Sequence, residues 1–308
     1  MVERITSVEL AVEERFSIFK QRLESGTSKK RLCVVSGTHG DELEGQYVCW
    51  KLVNKLSQDL SQLDGIVDVY PALNPLGINA MMRGIPQFDL DMNRIFPGDE
   101  NGTFAEFAAA KITDDLRGAD LVVDIHASNI FLREVPQIRV NVLSSSYLLP
   151  LAQNANMDLV WVHESSTVLE STLAYTLNAM DTPTLVAEMG VGMRITESYG
   201  EQLTAGIFNL MKQMGIYKGE TEETKKPIIG RDGQVSFLNA GKSGIFLQKA
   251  KHNSKVEKDE EIGRIINPIE GTIKEVLKSP CDGWLFTLRE YPVVYSGSLI
   301  ARILNDWN

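Results

Sequence analysis

Short apolar runs alternate with longer helical patterns along the first two thirds of the chain. Six runs rich in β-branched and other apolar residues predict buried strands, at 31–37, 66–73, 121–127, 137–143, 159–163 and 183–190. Apolar residues at helical spacing predict helices at about 42–56, 104–116, 170–180 and 197–214. Strands that alternate with helices predict an α/β fold, in which a mostly parallel, mixed sheet carries helices on both faces.

A change of pattern after these elements predicts a second unit. The stretch around 218–228 contains KGETEETKKP, which lacks large apolar residues and is typical of a linker. Beyond it the helical periodicity disappears, and two similarly spaced β-type segments open at Gly244 and Gly283. We therefore expect a large α/β domain at 1–217, which would carry the active site, a linker at 218–228 and a small all-β, barrel-sandwich-like domain at 229–308.

That C-terminal duplication resembles biotinyl- and lipoyl-type domains, which carry a modified lysine in the hairpin between their halves. The connecting stretch here, INPIEGTI, contains no lysine. We therefore expect a structural or substrate-gating role for this domain rather than a carrier role.

Composition and charge exclude several classes of function. The 308 residues are 43% hydrophobic and carry a net charge of −10, which disfavours binding to a nucleic-acid backbone. No window approaches the 18 or more apolar residues of a membrane span, and the N-terminus does not resemble a signal peptide. Three scattered cysteines are too few for a disulfide framework. We expect a cytoplasmic protein with a small-molecule partner, and the sequence is compatible with a homo-oligomer.

Two histidines and a glutamate follow predicted strands in positions that could converge. His39 and Glu42 lie in SGTHGDELEG, directly after the first strand, and His126 ends the third strand in VVDIHASN. In open α/β sheets, ligands bind outside the carboxyl ends of the strands. Two histidines and one glutamate suit a catalytic zinc ion, which keeps one position open. Taken alone, the HxxE spacing is weak evidence, and His126 considered by itself is better explained as a hydrogen-bonded core histidine.

Further candidates surround this set. Asp124 is two residues before His126 and could hold the second nitrogen of a ligand histidine. Glu188 ends an otherwise uncharged strand, where an ionised carboxylate is costly unless it has a partner or a function. Beside an activated water it would serve as general base and then proton donor. The long polar loop supplies Arg83 and Arg94, whose planar guanidinium groups suit a carboxylate or an oxyanion.

Together, the motifs GTHGDE, DMNRIFPG, DIHAS and VAEMG resemble the succinylglutamate desuccinylase/aspartoacylase family of the zinc carboxypeptidase-like clan. The resemblance covers about residues 30–215, and a β-rich tail is also usual in that family. It implies a zinc-carboxypeptidase-like fold and one zinc ion per chain. The implied zinc ligands are His39, Glu42 and His126, and the implied base is Glu188.

The resemblance also implies how a substrate would be held. Asn93 and Arg94 would bind a substrate carboxylate, and Arg83 would stabilise the oxyanion. Relatives that act on acidic substrates carry a further arginine about ten residues before the base, where this chain has Asn178. This departure disfavours N-acetylaspartate-like and succinylglutamate-like substrates.

Other residues near His126 or in the C-terminal domain could complete the site. Arg133 and Arg139 follow His126 in FLREVPQIRV, and Arg139 is a candidate substrate-binding residue. The clan often uses a tyrosine near the scissile bond, for which Tyr291 and Tyr295 are candidates, although packing within the β-domain explains them equally well.

Three functions follow from these residues. The first is a zinc-dependent deacylase that cleaves the amide bond of a small N-acyl amino acid or N-acyl amine with metal-activated water and a glutamate base. The second is a zinc carboxypeptidase acting on short peptides, which would place the terminal carboxylate on Asn93 and Arg94. The third is a non-catalytic binding protein, which the presence of all four candidate residues, His39, Glu42, His126 and Glu188, disfavours.

Overall fold

A long mixed β-sheet organises the chain, which a computed structural model describes over residues 1–164 and 170–305. The strands of the first part are β1 (Val2–Glu9), β2 (Arg15–Ser25), β3 (Arg31–Ser36), β4 (Gly65–Tyr70), β5 (Leu121–His126), β6 (Leu132–Asn141), β7 (Leu159–His163) and β8 (Thr184–Gly190). The helices are α1 (Glu44–Gln58), α2 (Pro75–Ala80), α3 (Phe104–Leu116), α4 (Ser145–Ala152), α5 (Leu173–Ala179) and α6 (Glu197–Gln213). The later strands are β9 (Ile228–Arg231), β10 (Val235–Asn239), β11 (Gly244–Gln248), β12 (Ser254–Val256), β13 (Glu261–Asn267), β14 (Thr272–Lys278), β15 (Gly283–Arg289), β16 (Val293–Val294) and β17 (Leu299–Leu304).

The centre of this sheet is parallel, and an antiparallel strand flanks it on each side. Strands β4, β3, β5 and β8 are parallel neighbours in that order, and β6 joins β8 in the antiparallel sense. Strand β7 extends from β6, and β9 from β7, both in parallel. The predicted mixed α/β sheet is therefore confirmed.

Alternation along the central strands separates two cores. In β3, Leu32 and Val34 pack into the core that includes buried residues of α1, α4 and α6. Cys33 and Val35 pack on the opposite side, with buried residues of α3 and α5. Because successive side chains of a strand point to opposite faces, this parity puts helices on both faces of the sheet, as the alternating pattern predicted.

An antiparallel hairpin formed by β1 and β2 was not predicted. Strand β2 pairs with β4 and extends the parallel centre of the sheet on one side. Its buried side chains include Phe16 and Ile18, which alternate with more exposed positions. A strand with one face exposed lacks the continuous apolar run that marks the buried strands, which explains why the pattern did not reveal it.

The C-terminal strands continue the main sheet. Residues 218–227 contain no helix or strand. After them, β15 pairs with β6 through registers such as Thr287 opposite Glu134, and β17 and β10 follow outward. A second sheet has the order β14-β13-β11-β16. Because β15 is hydrogen-bonded to β6, part of the C-terminal unit lies beside the strands that carry the candidate site.

Among the residues that the structure describes, no helix is both long enough and apolar enough to cross a membrane.

Candidate active site

The turn between β3 and α1 places His39 and Glu42 side by side. Helix α1 begins at Glu44, two residues later than the pattern predicted, so the HxxE spacing spans a turn rather than a helix. The turn is packed tightly, since a Cβ atom at Gly40 would lie 2.0 Å from the carbonyl carbon of Gly77. The amide of Gly40 also donates to the carbonyl of Arg83 at 3.1 Å. This packing fixes the position of His39 relative to the long loop.

His126 reaches the same point from the end of β5. One Glu42 oxygen lies 2.9 Å from Nδ1 of His39, and the other lies 3.0 Å from Nδ1 of His126. The two Nδ1 atoms are 3.3 Å apart. All three side chains are buried, with exposed fractions of 3–5%. The structure thus brings the three predicted metal-ligating residues into one cluster, with their potential ligand atoms within 4.8 Å of one another.

Each histidine is held from behind by a carboxylate. Oδ1 of Asp91 lies 3.0 Å from Nε2 of His39, and Oδ2 of Asp124 lies 3.2 Å from Nε2 of His126. Such contacts fix the ring orientation and direct the other nitrogen, here Nδ1, toward a metal ion. The role expected for Asp124 matches its observed contact.

The electrostatics of the cluster also suit a cation. Burial opposes protonation of His126, but the Asp124 and Glu42 carboxylates outweigh it and raise the pKa of the imidazole. For Glu42, burial is outweighed by both histidines, and its pKa is lowered. Both shifts favour a positive charge beside the Glu42 carboxylate, which a divalent ion would supply in exchange for protons. Two imidazoles and one carboxylate, with two supporting carboxylates, fit a catalytic zinc ion.

Glu188 lies beside this cluster because of strand parity. In β8, Leu185, Ala187 and Met189 pack into the core on the α1 side of the sheet, so Glu188 points to the opposite face. Glu188 lies directly opposite His126 in the parallel register of β5 and β8. Its Oε1 is 3.2 Å from Nη1 of Arg139.

A single cavity of about 620 Å³ contains these groups. All eight residues that the sequence singled out as catalytic, substrate-binding or metal-ligating line it, namely His39, Glu42, Arg83, Asn93, Arg94, His126, Arg139 and Glu188. Two further charged residues in its wall, Glu134 and Arg302, were not predicted. Arg302 lies within the apolar run LIARIL of β17, and an arginine inside such a run is a signal that could have drawn attention to it.

The long loop contributes Arg83, Asn93 and Arg94 to the cavity wall. Nη1 of Arg83 donates to Oε1 of Glu42 at 2.8 Å, and its Nη2 lies 3.4 Å from Asp91. Nη1 of Arg94 donates to the carbonyl of Asn93 at 2.7 Å. Oδ1 of Asn93 accepts from the amide of Leu173, the first residue of α5, at 2.8 Å. The Asn93 side chain therefore helps to hold the start of α5 in addition to lining the cavity.

Several other candidates lie elsewhere or have other contacts. Arg133 pairs with Glu290, with Nε 3.1 Å from Oε2, and it does not line the cavity. Tyr291 and Tyr295 are exposed and are also outside the described cavity wall. Asn178 does line the cavity, but its amide is bonded in both directions to the backbone of Thr184.

Comparison with known proteins matches the first part of the chain to a family of enzymes. The model of the succinylglutamate desuccinylase/aspartoacylase catalytic domain matches residues 28–214. The N-alpha-acetyl-L-2,4-diaminobutyric acid deacetylase of Halomonas elongata is 24% identical over 287 residues, which cover 88% of this chain and 80% of that protein.

Solved structures share the whole fold. The product-bound ectoine utilization protein EutE (DoeB) from Ruegeria pomeroyi has a TM-score of 0.85 at 19% identity, covering 98% of this chain and 94% of that chain. The succinylglutamate desuccinylase/aspartoacylase from Rhodobacter sphaeroides has a TM-score of 0.84 at 22% identity, covering 99% and 96%. The likeness extends over the C-terminal strands as well as the catalytic part.

Proposed function

Because the chain belongs to the succinylglutamate desuccinylase/aspartoacylase family, we propose that it is a zinc-dependent deacylase of small N-acyl amino acids or N-acyl amines. The observation that carries the proposal is the cluster of His39, Glu42 and His126 in the same cavity as Glu188. The relative from Halomonas elongata, named as a deacetylase of an acetylated diamino acid, supports amide cleavage of this kind.

His39, Glu42 and His126 would hold one zinc ion per chain. When bound, the ion supplies Lewis acidity and lowers the pKa of water, so that a nucleophile is available near neutral pH. Glu188 accepts a proton from the attacking water and then donates a proton to the leaving amine. The contact with Arg139 holds the Glu188 carboxylate in a defined orientation.

The cations of the loop would bind the substrate. Arg83 is fixed by Glu42 and Asp91, and its half-exposed guanidinium would donate to the oxyanion that forms at the amide carbonyl. Arg94 and Asn93 would hold the carboxylate of the amino-acid part. Arg139 lies beside Glu188 in the same cavity and would also contact the substrate.

The dimensions of the cavity support a small substrate. The volume of about 620 Å³ is in the range of small-molecule pockets, roughly 300–1,000 Å³.

The state of the cysteines supports a cytoplasmic location. Cys33, Cys49 and Cys281 are free thiols, which are typical of a reducing compartment.

The proposal is tested by measuring amine release from N-acyl amino acids, N-acyl diamines and short peptides. The zinc-loaded protein is assayed with and without a chelator. We expect chelator-sensitive release from N-acyl monomers, with a rate that falls as the substrate is extended into a peptide. The matched control is Glu188→Gln, which keeps the shape of the side chain and removes its basicity.

Other outcomes would contradict the proposal in distinct ways. Release only from the C-termini of peptides would support the carboxypeptidase. Zinc bound at one ion per chain without turnover of any substrate would support a binding protein. Turnover that persists after the metal has been removed would exclude the metal-dependent mechanism.

A further inference from the structure

A fully buried carboxylate links the candidate base to the C-terminal strands. Glu134 of β6 has no exposed surface. Its Oε1 lies 3.2 Å from Nη2 of Arg139 and 2.6 Å from Nη1 of Arg302. A buried charge is tolerated when it is paired and hydrogen-bonded, and here two guanidinium groups share one carboxylate oxygen.

The second oxygen of Glu134 is also hydrogen-bonded. Oε2 accepts from Nε2 of Gln137 at 2.8 Å and from the hydroxyl of Thr287. The hydroxyl of Ser128 also donates to Oε1 at 3.5 Å. Thr287 belongs to β15 and Arg302 to β17, so two of these five donors come from the C-terminal strands. The catalytic part of the chain alone does not supply all the partners of its buried carboxylate.

Arg139 connects this carboxylate to Glu188. Its Nη2 faces Glu134 and its Nη1 faces Glu188, both at 3.2 Å. The guanidinium carbons of Arg139 and Arg302 also lie 5.5 and 5.4 Å from the centre of the Trp161 ring. Stacking on an indole restricts a guanidinium to one plane. The orientation of Arg139 therefore depends on Glu134, Glu188 and Trp161 together.

We propose that Arg302 is a positioning residue that holds Arg139 against Glu188 by sharing Glu134. The inference rests on the proposed function, in which Glu188 is the base. It gives the C-terminal strands a defined part in the reaction, because Arg302 contacts Glu134 and thereby determines how strongly Glu134 attracts Arg139.

The physical reason is competition for one guanidinium. With Arg302 in place, Glu134 has a short contact to a second cation and leaves Arg139 shared between two carboxylates. Without Arg302, Arg139 is the remaining guanidinium on a fully buried charge. Because that charge has lost one of its two cations, Arg139 is drawn closer to Glu134. The contact to Glu188 then lengthens, and a base displaced by a fraction of an ångström loses much of its efficiency.

The test begins with Arg302→Met, which keeps the length of the side chain and removes its charge. We expect kcat to fall about tenfold or more, with a smaller change in KM because Arg139 also contacts the substrate in the proposed site, and with one zinc ion still bound per chain. The matched control is Arg264→Met in the same part of the chain, where Arg264 pairs with Glu261 outside the cavity. This control should retain the kinetic constants of the wild type.

Two milder variants cover the case in which Arg302→Met does not fold. Thr287→Val removes one hydrogen bond to Glu134 with little change in shape, and it should lower kcat less than Arg302→Met. Arg302→Lys keeps the charge but not the planar fork, so its kcat should be lower than that of the wild type but higher than that of Arg302→Met. Unchanged kcat in both folded variants would overturn the proposal.

A double-mutant cycle separates positioning from a general loss of structure. If Arg302 acts through Arg139, then Arg302→Met should cause no further loss of kcat in an Arg139→Met background. If kcat of the double variant instead falls by the product of the two single-variant factors, the two arginines act independently and the proposal is overturned. The same four proteins, without metal, are also unfolded in urea. If the changes in the free energy of unfolding caused by the two substitutions are additive, the two arginines are not coupled through Glu134, and this result would likewise overturn the proposal.

The urea cycle also separates this inference from the proposed function. If the wild type releases no amine from any substrate, the deacylase proposal fails. Non-additive unfolding would then still support the linkage of Arg302 to Arg139 through Glu134, whereas additive unfolding would refute it.

Discussion

Arg139 and Glu188 contact each other across the antiparallel pair β6 and β8, with Nη1 of the arginine 3.2 Å from Oε1 of the glutamate. Arg139 is largely buried, and although burial disfavours its charge, the Glu188 and Glu134 carboxylates raise its pKa. The cation is therefore permanent. A permanent cation at one oxygen restrains the carboxylate of Glu188 in the cavity while leaving the other oxygen for a proton.

Replacement of Glu188 is the most direct test of its chemistry. We expect Glu188→Gln to lower kcat by about 10²–10⁴-fold, the usual contribution of general acid–base catalysis. The metal cluster is formed by other residues, so zinc content should stay at one ion per chain. Kinetics and metal analysis on the same sample measure both quantities. Glu290→Gln, which alters a glutamate paired with Arg133 outside the cavity, is the matched control. Substantial turnover in zinc-loaded Glu188→Gln would refute the role of base.

Zinc affinity should depend on pH because of the histidines. Burial lowers the pKa of His126, but the Asp124 and Glu42 carboxylates outweigh it and raise this pKa well above 6.5. A raised pKa favours the protonated ring, and zinc must displace that proton on binding. Calorimetric titrations in buffers of different ionisation enthalpy should show proton release on binding, and affinity should weaken as pH falls. His252→Gln, outside the cluster, should not change the release. Binding enthalpies independent of the buffer would contradict this prediction.

The same shift predicts how the metal-free protein responds to pH. A folded-state pKa above the unfolded value stabilises the protein below the unfolded pKa, and the contribution is lost as pH rises through the folded pKa. The stability difference between the wild type and His126→Gln should therefore shrink from pH 6 upward. Urea unfolding of both metal-free proteins at several pH values measures it. A difference that grows with pH would show the opposite sign of shift.

Much of the fold and of the cavity could be predicted because local patterns determine them. Parity along a strand is visible in the sequence: Leu185, Ala187 and Met189 alternate with Glu188, so the face that carries the carboxylate is determined before any partner is known. The continuous apolar runs likewise indicate the buried strands β3, β5 and β8. The β1–β2 hairpin has alternating, half-exposed positions and left a weaker signal.

Contacts between distant segments could not be predicted in this way. Glu134 and Arg302 are separated by 168 residues and meet because β15 and β17 continue the sheet beyond β6. No local pattern specifies which edge of a sheet a later strand joins. Arg133 shows the converse problem, since it adjoins Glu134 in sequence but pairs with Glu290 outside the cavity.

Asn93 and Arg94 are neighbours in the same motif, and the structure predicts that their replacement has different effects. Arg94 is half-exposed and contacts only loop groups, the Asn93 carbonyl and Asp91, among the contacts described. Arg94→Met should raise KM about 10–100-fold, as expected for the loss of a hydrogen bond to a charged group, with little change in stability. Asn93→Ala should in addition lower the free energy of unfolding by about 1–3 kcal/mol, because the buried amide of Leu173 loses its acceptor.

Steady-state kinetics and urea unfolding on both variants check this division. Asn93→Asp is the matched control, because it keeps an oxygen acceptor for Leu173 and changes only the remaining group. It should retain more of the stability than Asn93→Ala. Equal destabilisation by Arg94→Met and Asn93→Ala would show that the loop contacts do not divide the roles in this way.

Asn178 lies in the cavity wall, yet its side chain serves the fold. Its Oδ1 accepts from the amide of Thr184 at 2.9 Å and its Nδ2 donates to the Thr184 carbonyl at 3.1 Å, which ties the end of α5 to the start of β8. Asn178→Ala should therefore cost about 1–3 kcal/mol of unfolding free energy without changing the preference among acyl groups. Asn178→Asp keeps the acceptor and should cost less. Relative kcat/KM values for acetyl, propionyl and succinyl substrates, measured beside urea unfolding, decide the matter: a changed acyl preference with unchanged stability would make Asn178 a specificity residue instead.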